Sequence, residues 1–374
     1  MKLLYVSPNS ELGGAERILD TLIKYHHPDQ FEIYIVLMGP GSLEEKWKKM
    51  GATVLQVPPF RFRQVGSLLK AQWAFRKILK DFDIELIHST MAYGHLFAGP
   101  VALSLKVPEV WFQHGPVGKT LDRLAGFVPT KNILCNSKFT ENQQQALAKA
   151  KSSVVYGPVE IPAITSGARE EIRISFRKNF DIGSEKFLCL HVARLDAWKG
   201  QENFIKAIEL AHHSNPNIQA LIVGGSALGS SDYEKKLKNL VQDKNLENVI
   251  GFTGFLSSVQ EAFFSADLFV HCSIQAEPLG LSILEALAAG CPVIAADQGG
   301  PLEVIIDQQA GILCPASDII KLSQTILNIS QDKKVQLHLR EQGLIRAQFF
   351  EAKKWVRKIE EIYQSLMSEG SDGV

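Results

Sequence analysis

Short runs of β-branched and aromatic residues alternate with amphipathic stretches along the whole chain. The apolar runs predict buried strands, and the stretches between them, such as 202–213, have a helical period. The predicted strands are 3–7, 31–38, 84–89, 109–115 and 132–137 in the first half and 186–195, 218–225, 267–273 and 292–297 in the second. Repeated alternation of strand and helix predicts an α/β protein, with parallel sheets covered by helices on both faces.

The alternation is interrupted once, over residues 159–184. This segment carries Pro162, Gly167 and Gly183 in polar surroundings, and we interpret it as a domain junction. Because 374 residues are many for a single core, each side of the junction is predicted to be a doubly wound α/β domain. Ligands are then expected beyond the carboxyl ends of the strands. The tail 351–367 is an amphipathic helix with no strand after it.

Composition narrows the class of protein. A hydrophobic content of 45% with 21% charged residues is ordinary for a globular chain, and zero net charge argues against a dedicated nucleic-acid binder. Residues 1–160 carry 19 Lys and Arg against 14 Asp and Glu, which indicates an acidic partner for this part. The five cysteines are scattered and no His or Cys pair has metal-ligand spacing, so neither disulfides nor a metal site is predicted. Without a signal-peptide pattern or an 18-residue apolar span, we expect a cytoplasmic protein.

The segment 277–285, EPLGLSILE, is the most informative in the chain. Glu277 precedes a turn containing Gly280, and Glu285 lies inside an apolar helical run, where burying an ionised carboxylate is costly. The helix start between them offers free backbone N–H groups and a positive dipole end to an anion. Two carboxylates around an anion-binding helix start suit a nucleotide-sugar, which has hydroxyls on both sides of its phosphates.

Two cations follow the strand 186–195. Arg194 closes it and Lys199 begins the next helix, so both lie at a carboxyl end where a doubly wound domain binds anions. Together they can neutralise a diphosphate, Arg through its planar fork and Lys as a point charge. The alternative is a pair of surface charges on a loop.

Two features of the first half also follow strands directly. Gly13-Gly14 opens a helix, which lets the backbone approach a phosphate closely. The spacing is neither the dinucleotide fingerprint nor a Walker motif, and Gly-Gly turns into helices are common. His114 ends a strand before Gly115-Pro116, a position that favours a functional role over a structural one.

Two further segments have a plain structural interpretation. The triplet 81–83, Asp-Phe-Asp, resembles a metal-binding pattern, but it precedes the strand 84–89 and therefore lies at the end opposite the expected site. The segment 59–80 has six cations, no acid and interleaved aromatics. It is either a helix packed on a sheet with a basic outer face or a stretch that contacts an anionic membrane surface.

Taken in order, these motifs resemble the retaining GT-B glycosyltransferases of family 4, the glycosyl transferases of group 1. The matching pieces are GGAER, the strand-end HG, NS at 136–137, ARL with the following KG, LIVGGS, GFTGFL, EPLGLSILEALAAGCPVIA and GILCP. The chain departs from the family at Cys272-Ser273, where Pro-Ser is frequent, at Leu279, where Phe is common, and at YGPVE, which lacks a frequent Asn.

The resemblance implies a role for each matching residue. Glu285 would hold the ribose hydroxyls and Glu277 the hydroxyls of the donor sugar. Arg194 and Lys199 would stabilise the leaving diphosphate, and His114 would sit beside the transferred sugar, so these three and Glu277 are the implied catalytic residues. The other implied donor-site residues are Gly13, Gly14, Gly224, Phe255, Leu256, Pro278, Leu279, Gly280 and Leu281.

The implied fold is GT-B, two Rossmann-like doubly wound domains facing a cleft. The first domain would comprise residues 1–160 joined by the C-terminal helix at 350–374, and would bind the acceptor. The second, residues 161–349, would bind the nucleotide-sugar.

The implied activity is retaining transfer of a hexose to a saccharide or lipid-linked acceptor in polysaccharide or glycolipid synthesis. The donor is most often a UDP-sugar in this family, and GDP- and ADP-sugars are the alternatives. No metal and no cofactor are expected, because cations and a helix start can stabilise the departing diphosphate. We expect the protein in the cytoplasm, with 59–80 as the candidate peripheral contact with the inner face of the membrane. GT-B-fold sugar-nucleotide epimerases, glycogen-type phosphorylases and two-lobed sugar-binding proteins are the alternatives.

Overall fold

The computed structural model describes residues 1–8, 13–118, 120–146, 150–226 and 231–368. The chain forms two compact units, which we call unit 1 (Met1–Pro158 with Ala352–Val374) and unit 2 (Val159–Glu351). The boundary after Pro158 lies two residues before the predicted boundary after residue 160. The boundary after Glu351 lies two residues after the predicted boundary after residue 349.

Unit 1 is a parallel α/β layer structure. Its strands are β1 (Lys2–Ser7), β2 (Glu32–Leu37), β3 (Thr53–Gln56), β4 (Leu86–Thr90), β5 (Glu109–Gln113), β6 (Asn132–Cys135) and β7 (Ser152–Val154). Its helices are α1 (Gly14–Tyr25), α2 (Leu43–Lys49), α3 (Val65–Asp81), α4 (Met91–Leu105), α5 (Thr120–Ala125), α6 (Lys138–Gln145) and the C-terminal α15 (Ala352–Ser368). The strands pair in parallel in the order β3-β2-β1-β4-β5-β6-β7, so the order reverses beside β1 as in a doubly wound sheet.

A buried polar network anchors α15 to the rest of unit 1. Glu360 accepts hydrogen bonds from His26 Nδ1 at 3.0 Å and from the His27 backbone N–H at 2.8 Å. The Tyr363 hydroxyl lies 2.5 Å from His88 Nδ1 on β4. Burial alone raises the pKa of Glu360, but hydrogen bonds from His26, the His27 N–H and Arg357 lower it to about 2. The last helix is therefore part of the unit 1 core.

Unit 2 repeats the architecture with its own core. Its strands are β8 (Phe187–Val192), β9 (Ile218–Val223), β10 (Ile250–Gly254), β11 (Leu268–His271), β12 (Val293–Ala296) and β13 (Ile312–Cys314). Its helices are α7 (Ser166–Asn179), α8 (Gln201–Ser214), α9 (Ser231–Asp243), α10 (Gln260–Ser265), α11 (Leu281–Ala288), α12 (Pro301–Val304), α13 (Ile319–Gln331) and α14 (Lys333–Ala347). The parallel strand order is β10-β9-β8-β11-β12-β13, with the reversal between β8 and β11. The two units together make the predicted α/β fold with two Rossmann-like halves.

The interpretation of 159–184 as a junction is wrong for most of the segment. α7 occupies residues 166–179, and Thr165 caps its first turn by accepting from the Ala168 N–H. Arg177 is buried and binds Asp267 Oδ2 at 2.6 Å, which ties α7 to the residue just before β11. The polar surroundings in the sequence therefore reflect a capped helix whose arginines have partners far along the chain.

The predicted strands are found, but several end early and the short strands β3, β7, β10 and β13 were missed. In the motif GFTGFL, residues 251–254 belong to β10, and only Phe255 and Leu256 follow the strand. Strands of three to five residues at the edges of a sheet carry too little periodicity to be recognised locally. No helix among the described residues is long and apolar enough to cross a membrane.

Candidate functional site

The carboxylate of Glu277 is the centre of a buried polar cluster in unit 2. Its Oε1 lies 2.6 Å from Lys199 Nζ and 2.9 Å from His271 Nε2, and it also accepts from the Ser273 hydroxyl. Burial by itself raises the pKa of Glu277, but its interactions with His271 and Lys199 outweigh burial and hold the pKa well below its ordinary value. Glu277 is therefore an ionised acceptor held in a dry environment.

The loop after Glu277 packs against the glycine pair Gly299-Gly300. The Gly300 N–H donates to the Glu277 carbonyl at 2.8 Å. A Cβ on Gly300 would lie 2.2 Å from the Pro278 carbonyl oxygen, so only glycine allows this approach. Gly280 has φ +93° and caps α11, and Leu279 is buried beside it. These contacts place the start of α11 next to Glu277. The first backbone N–H groups of α11 have no acceptor within the helix.

Glu285 lies in the second turn of α11 and is half-buried. The sequence placed it inside an apolar run, where burying an ionised carboxylate is costly. In the structure those neighbours face the core, whereas Glu285 is on the partly accessible side of the helix.

Lys199 is held from two sides. Its Nζ lies 3.9 Å from the centroid of the Trp198 ring, a cation–π contact, in addition to the ion pair with Glu277. Gly200 follows with φ +78°, and a Cβ there would lie 2.0 Å from the Cys272 carbonyl oxygen. The short helical turn 197–199 is therefore pressed against the loop after β11, which brings Lys199 to Glu277.

Arg194 does not join this cluster in the described structure. It follows β8 by two residues, is largely exposed, and pairs with Asp196 at 3.1 Å. Nearby, Gly224 has φ +141°, and a Cβ there would lie 1.9 Å from the Ala193 carbonyl oxygen. The glycine thus allows the loop that carries Arg194 to cross the end of β9.

Phe255 and Leu256 follow β10, and Phe255 is 70% exposed. A Cβ on Gly225 would lie 3.3 Å from the Phe255 Cβ, so the start of this side chain lies against the glycine turn after β9. An exposed aromatic ring at the carboxyl end of a strand suits stacking on a flat ligand group.

The predicted residues of unit 1 lie at the carboxyl ends of its strands. Gly13 is the N-cap of α1 and Gly14 is its first residue, while residues 9–12 of the connection lie outside the described part of the chain. His114 follows β5 directly, and its ring centroid is 3.9 Å from that of Phe112. Burial lowers the pKa of His114 to about 3, so the ring is neutral.

The sequence missed three contributors to this site: His271, Ser273 and the glycine pair 299–300. His271 ends β11 and precedes Glu277 by six residues, so the strand-end argument applied to His114 would have found it. Gly299-Gly300 likewise follows β12 at its carboxyl end. Within the ranges that the structure describes, no group of three or more His, Cys, Asp or Glu side chains has the arrangement of a metal site.

Two family models match the chain in succession. "Glycosyltransferase Family 4" matches residues 12–161, and "Glycosyl transferases group 1" matches residues 172–346. The second range contains every predicted donor-site residue of unit 2.

Full-length relatives and solved structures agree with these matches. An uncharacterized glycosyltransferase of Methanocaldococcus jannaschii is 24% identical over 367 residues, covering 95% of both chains. Anabaena HepE, solved in complex with UDP-glucose, has a TM-score of 0.86 at 23% identity, covering 98% of this chain and all of that one. A glycosyltransferase from Rickettsia africae has a TM-score of 0.88 at 19% identity, covering 98% of each. At such identities the structural likeness establishes the fold.

Proposed function

The chain belongs to the glycosyltransferases of group 1 and family 4, and on that premise we propose that it transfers a hexose from a nucleotide-sugar with retention and without a metal ion. The observation that carries the proposal is the cluster at the start of α11. There Glu277 is an ionised acceptor beside free helix N–H groups, and Lys199 is a cation 2.6 Å from it. The site thus offers a carboxylate for sugar hydroxyls next to positive charge for phosphates.

In the proposed reaction the bond between the anomeric carbon and the diphosphate oxygen breaks, and the acceptor hydroxyl oxygen bonds to that carbon on the same face. The hydroxyl proton passes to the departing diphosphate. Lys199, Arg194 and the helix start act mainly on the negative charge that develops on the diphosphate, so they stabilise the transition state more than the bound donor. The family resemblance assigns the transferred sugar to His114, which is neutral and half-buried, and the phosphates or sugar to Gly14.

A UDP-sugar is the proposed donor, because the structurally similar Anabaena protein was solved with UDP-glucose. Glu285 would hold the ribose hydroxyls and the exposed ring of Phe255 would border the base. Thermal shift with UDP-glucose, GDP-mannose and ADP-glucose, each in EDTA, tests this assignment. We expect a shift with UDP-glucose that survives EDTA in the wild type and disappears in Glu285→Ala.

Glu247→Ala, an exposed glutamate before the amino end of β10, is the matched control and should retain the shift. A shift that requires added metal, or one that persists in Glu285→Ala, would contradict the proposal. Retention is tested by ¹H NMR during slow hydrolysis of UDP-glucose. α-Glucose should appear before mutarotation, and early β-glucose would contradict retention.

The proposed acceptor is a saccharide or lipid-linked saccharide at the inner face of the membrane. The outer face of α3 carries Val65, Leu69 and Trp73 at spacings of one helical turn, and Trp73 is 69% exposed. The exposed cations beside this stripe are Arg61, Arg63, Lys70, Lys77 and Lys80. A face of this kind suits an anionic lipid surface, because the exposed Trp and Leu can insert between the lipids and the cations are attracted to the lipid charges.

Flotation with phosphatidylcholine vesicles, with and without phosphatidylglycerol, tests the membrane contact. We expect binding only to the anionic vesicles, and a loss of at least about tenfold when Arg61, Arg63, Lys70 and Lys77 are changed to Gln, since each cation near the surface is worth about 1 kcal/mol. Arg76 is left intact because it donates to Ser104 Oγ at 2.7 Å. Unchanged binding of this variant would refute the contact.

A further inference from the structure

The carboxylate of Glu277 is supported by more than its ion pair. We propose that His271, together with Ser273, is a positioning residue that keeps Glu277 directed at the donor sugar when Lys199 turns its charge to the diphosphate. The proposal rests on the proposed function and adds a role that neither the motif nor the resemblance contains.

The geometry places every donor of the cluster on one oxygen. Lys199 Nζ, His271 Nε2 and the Ser273 hydroxyl all converge on Glu277 Oε1. Among the described residues, Oε2 accepts no side-chain or backbone hydrogen bond, so it is the oxygen available to a sugar hydroxyl. A carboxylate held through one oxygen presents the other in a fixed direction.

The backbone determines which ring nitrogen of His271 carries the proton. The Ala296 N–H on β12 donates to His271 Nδ1 at 3.4 Å, so Nδ1 is an acceptor and the proton is on Nε2. His271 pairs with Ala295 in the parallel register of β11 and β12, which fixes the ring between the two strands. Nε2 therefore donates to Glu277 at 2.9 Å without a positive charge on the ring. Ser273 is held in turn by Gln298, which donates to its carbonyl at 2.9 Å.

The support matters because Lys199 has two tasks. It is bound to Glu277 and stacked over Trp198 in the described structure, whereas a bound diphosphate offers it a stronger negative charge. If Lys199 moves toward the phosphates, Glu277 loses one of its three donors just as the sugar hydroxyls arrive. His271 and Ser273 carry no competing charge, so they stay on Oε1 through the exchange.

The first test compares binding of UDP-glucose and of UDP by calorimetry in His271→Leu and His271→Gln, with slow hydrolysis of UDP-glucose for kcat and KM. In His271→Leu we expect the ratio of the Kd for UDP-glucose to the Kd for UDP to rise roughly tenfold to a hundredfold, the range seen when a hydrogen bond that orients a metal ligand is removed. We also expect kcat to fall more than KM rises. His271→Gln keeps an N–H near the Nε2 position and should restore most of the loss.

His191→Leu is the matched control. His191 is buried on the neighbouring strand β8 and bonds the Val270 carbonyl at 2.9 Å, and its side chain makes no hydrogen bond to Glu277 in the described residues. It should lower the melting temperature while the Kd ratio stays as in the wild type. An unchanged ratio in folded His271→Leu, or an equal loss in the Leu and Gln variants, would overturn the positioning role.

A second measurement is made without a nucleotide-sugar. Long-range ¹H–¹⁵N NMR of the histidine rings, with His271 assigned from its loss in His271→Gln, should show the proton on Nε2. A proton on Nδ1 would overturn the proposal, because that ring could not donate to Glu277. If the wild type binds neither UDP nor UDP-glucose, the UDP-sugar assignment fails, and the NMR result still decides whether His271 supports Glu277.

Discussion

The Lys199–Glu277 ion pair should contribute measurably to the stability of unit 2. The two charged atoms are 2.6 Å apart, and the side chains are only 18% and 9% exposed. An exposed pair is worth about 0.2–1 kcal/mol, whereas a hydrogen bond to a charged group is worth about 1.5–3 kcal/mol. Because Glu277 keeps two other donors when Lys199 is removed, we expect a coupling energy at the lower end of the second range, about 1.5–2 kcal/mol.

The assay is a double-mutant cycle of Lys199→Met and Glu277→Gln in urea. Trp198 is the one Trp between residues 159 and 351, so its fluorescence reports on unit 2. The four Trp residues outside that range contribute background fluorescence. The same titration of Trp198→Phe measures this background, which is then subtracted.

The control cycle uses Lys236 and Glu202, another ion pair of unit 2. Its charged atoms are 2.7 Å apart, but the side chains are 62% and 28% exposed. The lengths of the two ion pairs are nearly equal, so only burial and the surrounding donors distinguish them. We expect a coupling below about 1 kcal/mol for the control, and a Lys199–Glu277 coupling no larger than the control value would refute the reasoning.

Three further predictions concern the scaffold. Glu360 has a pKa of about 2 in the folded protein and the ordinary higher value in the unfolded chain. Its contribution to the free energy of unfolding is therefore complete above about pH 5 and is lost as the pH falls toward 2. Thermal unfolding across that range should show unit 1 losing up to about 3 kcal/mol, and Glu360→Gln should flatten the profile. His95→Leu leaves the buried carboxylate of Glu109, now 2.8 Å from His95 Nδ1, without its partner. Urea unfolding should show a loss of about 3–5 kcal/mol in the free energy of unfolding, and adding Glu109→Leu should recover part of it. A double variant less stable than His95→Leu would contradict this. Gly200→Ala meets both a positive φ and the Cys272 carbonyl oxygen, so the melting temperature should fall by several degrees for a loss of about 1–3 kcal/mol, while an unchanged value would show that the turn relaxes.

Local sequence determined the class of fold and predicted the location of the candidate site. Apolar runs of strand length alternating with amphipathic helices lead to parallel sheets, because each element must bury one face. In such sheets the carboxyl ends of the strands carry the ligand site. The strand-end positions of His114, Arg194 and Lys199, and the helix start after Gly280, follow from the order of elements alone. The segment EPLGLSILE combines its turn, its helix start and its two carboxylates within nine residues, so no distant contact is needed to recognise it.

Tertiary structure alone decided which side chains meet. Lys199 and Glu277 are separated by 78 residues and form an ion pair, whereas Arg194, five residues before Lys199, pairs with Asp196 instead. The choice depends on Gly200, which allows the loop that carries Lys199 to press against the strand end before Glu277. Such an approach depends on backbone conformation, and the spacing of residues along the chain does not record it.

The proton on His271 illustrates the same limit at atomic scale. The sequence contains three other histidines in or at the end of a predicted strand, His88, His114 and His191. Only the register of β11 against β12 brings the Ala296 N–H to one nitrogen of His271 and leaves the other for Glu277. A pattern of residue types predicts where polar groups gather, but the hydrogen bond that orients each of them comes from a neighbouring strand whose position only the folded chain determines.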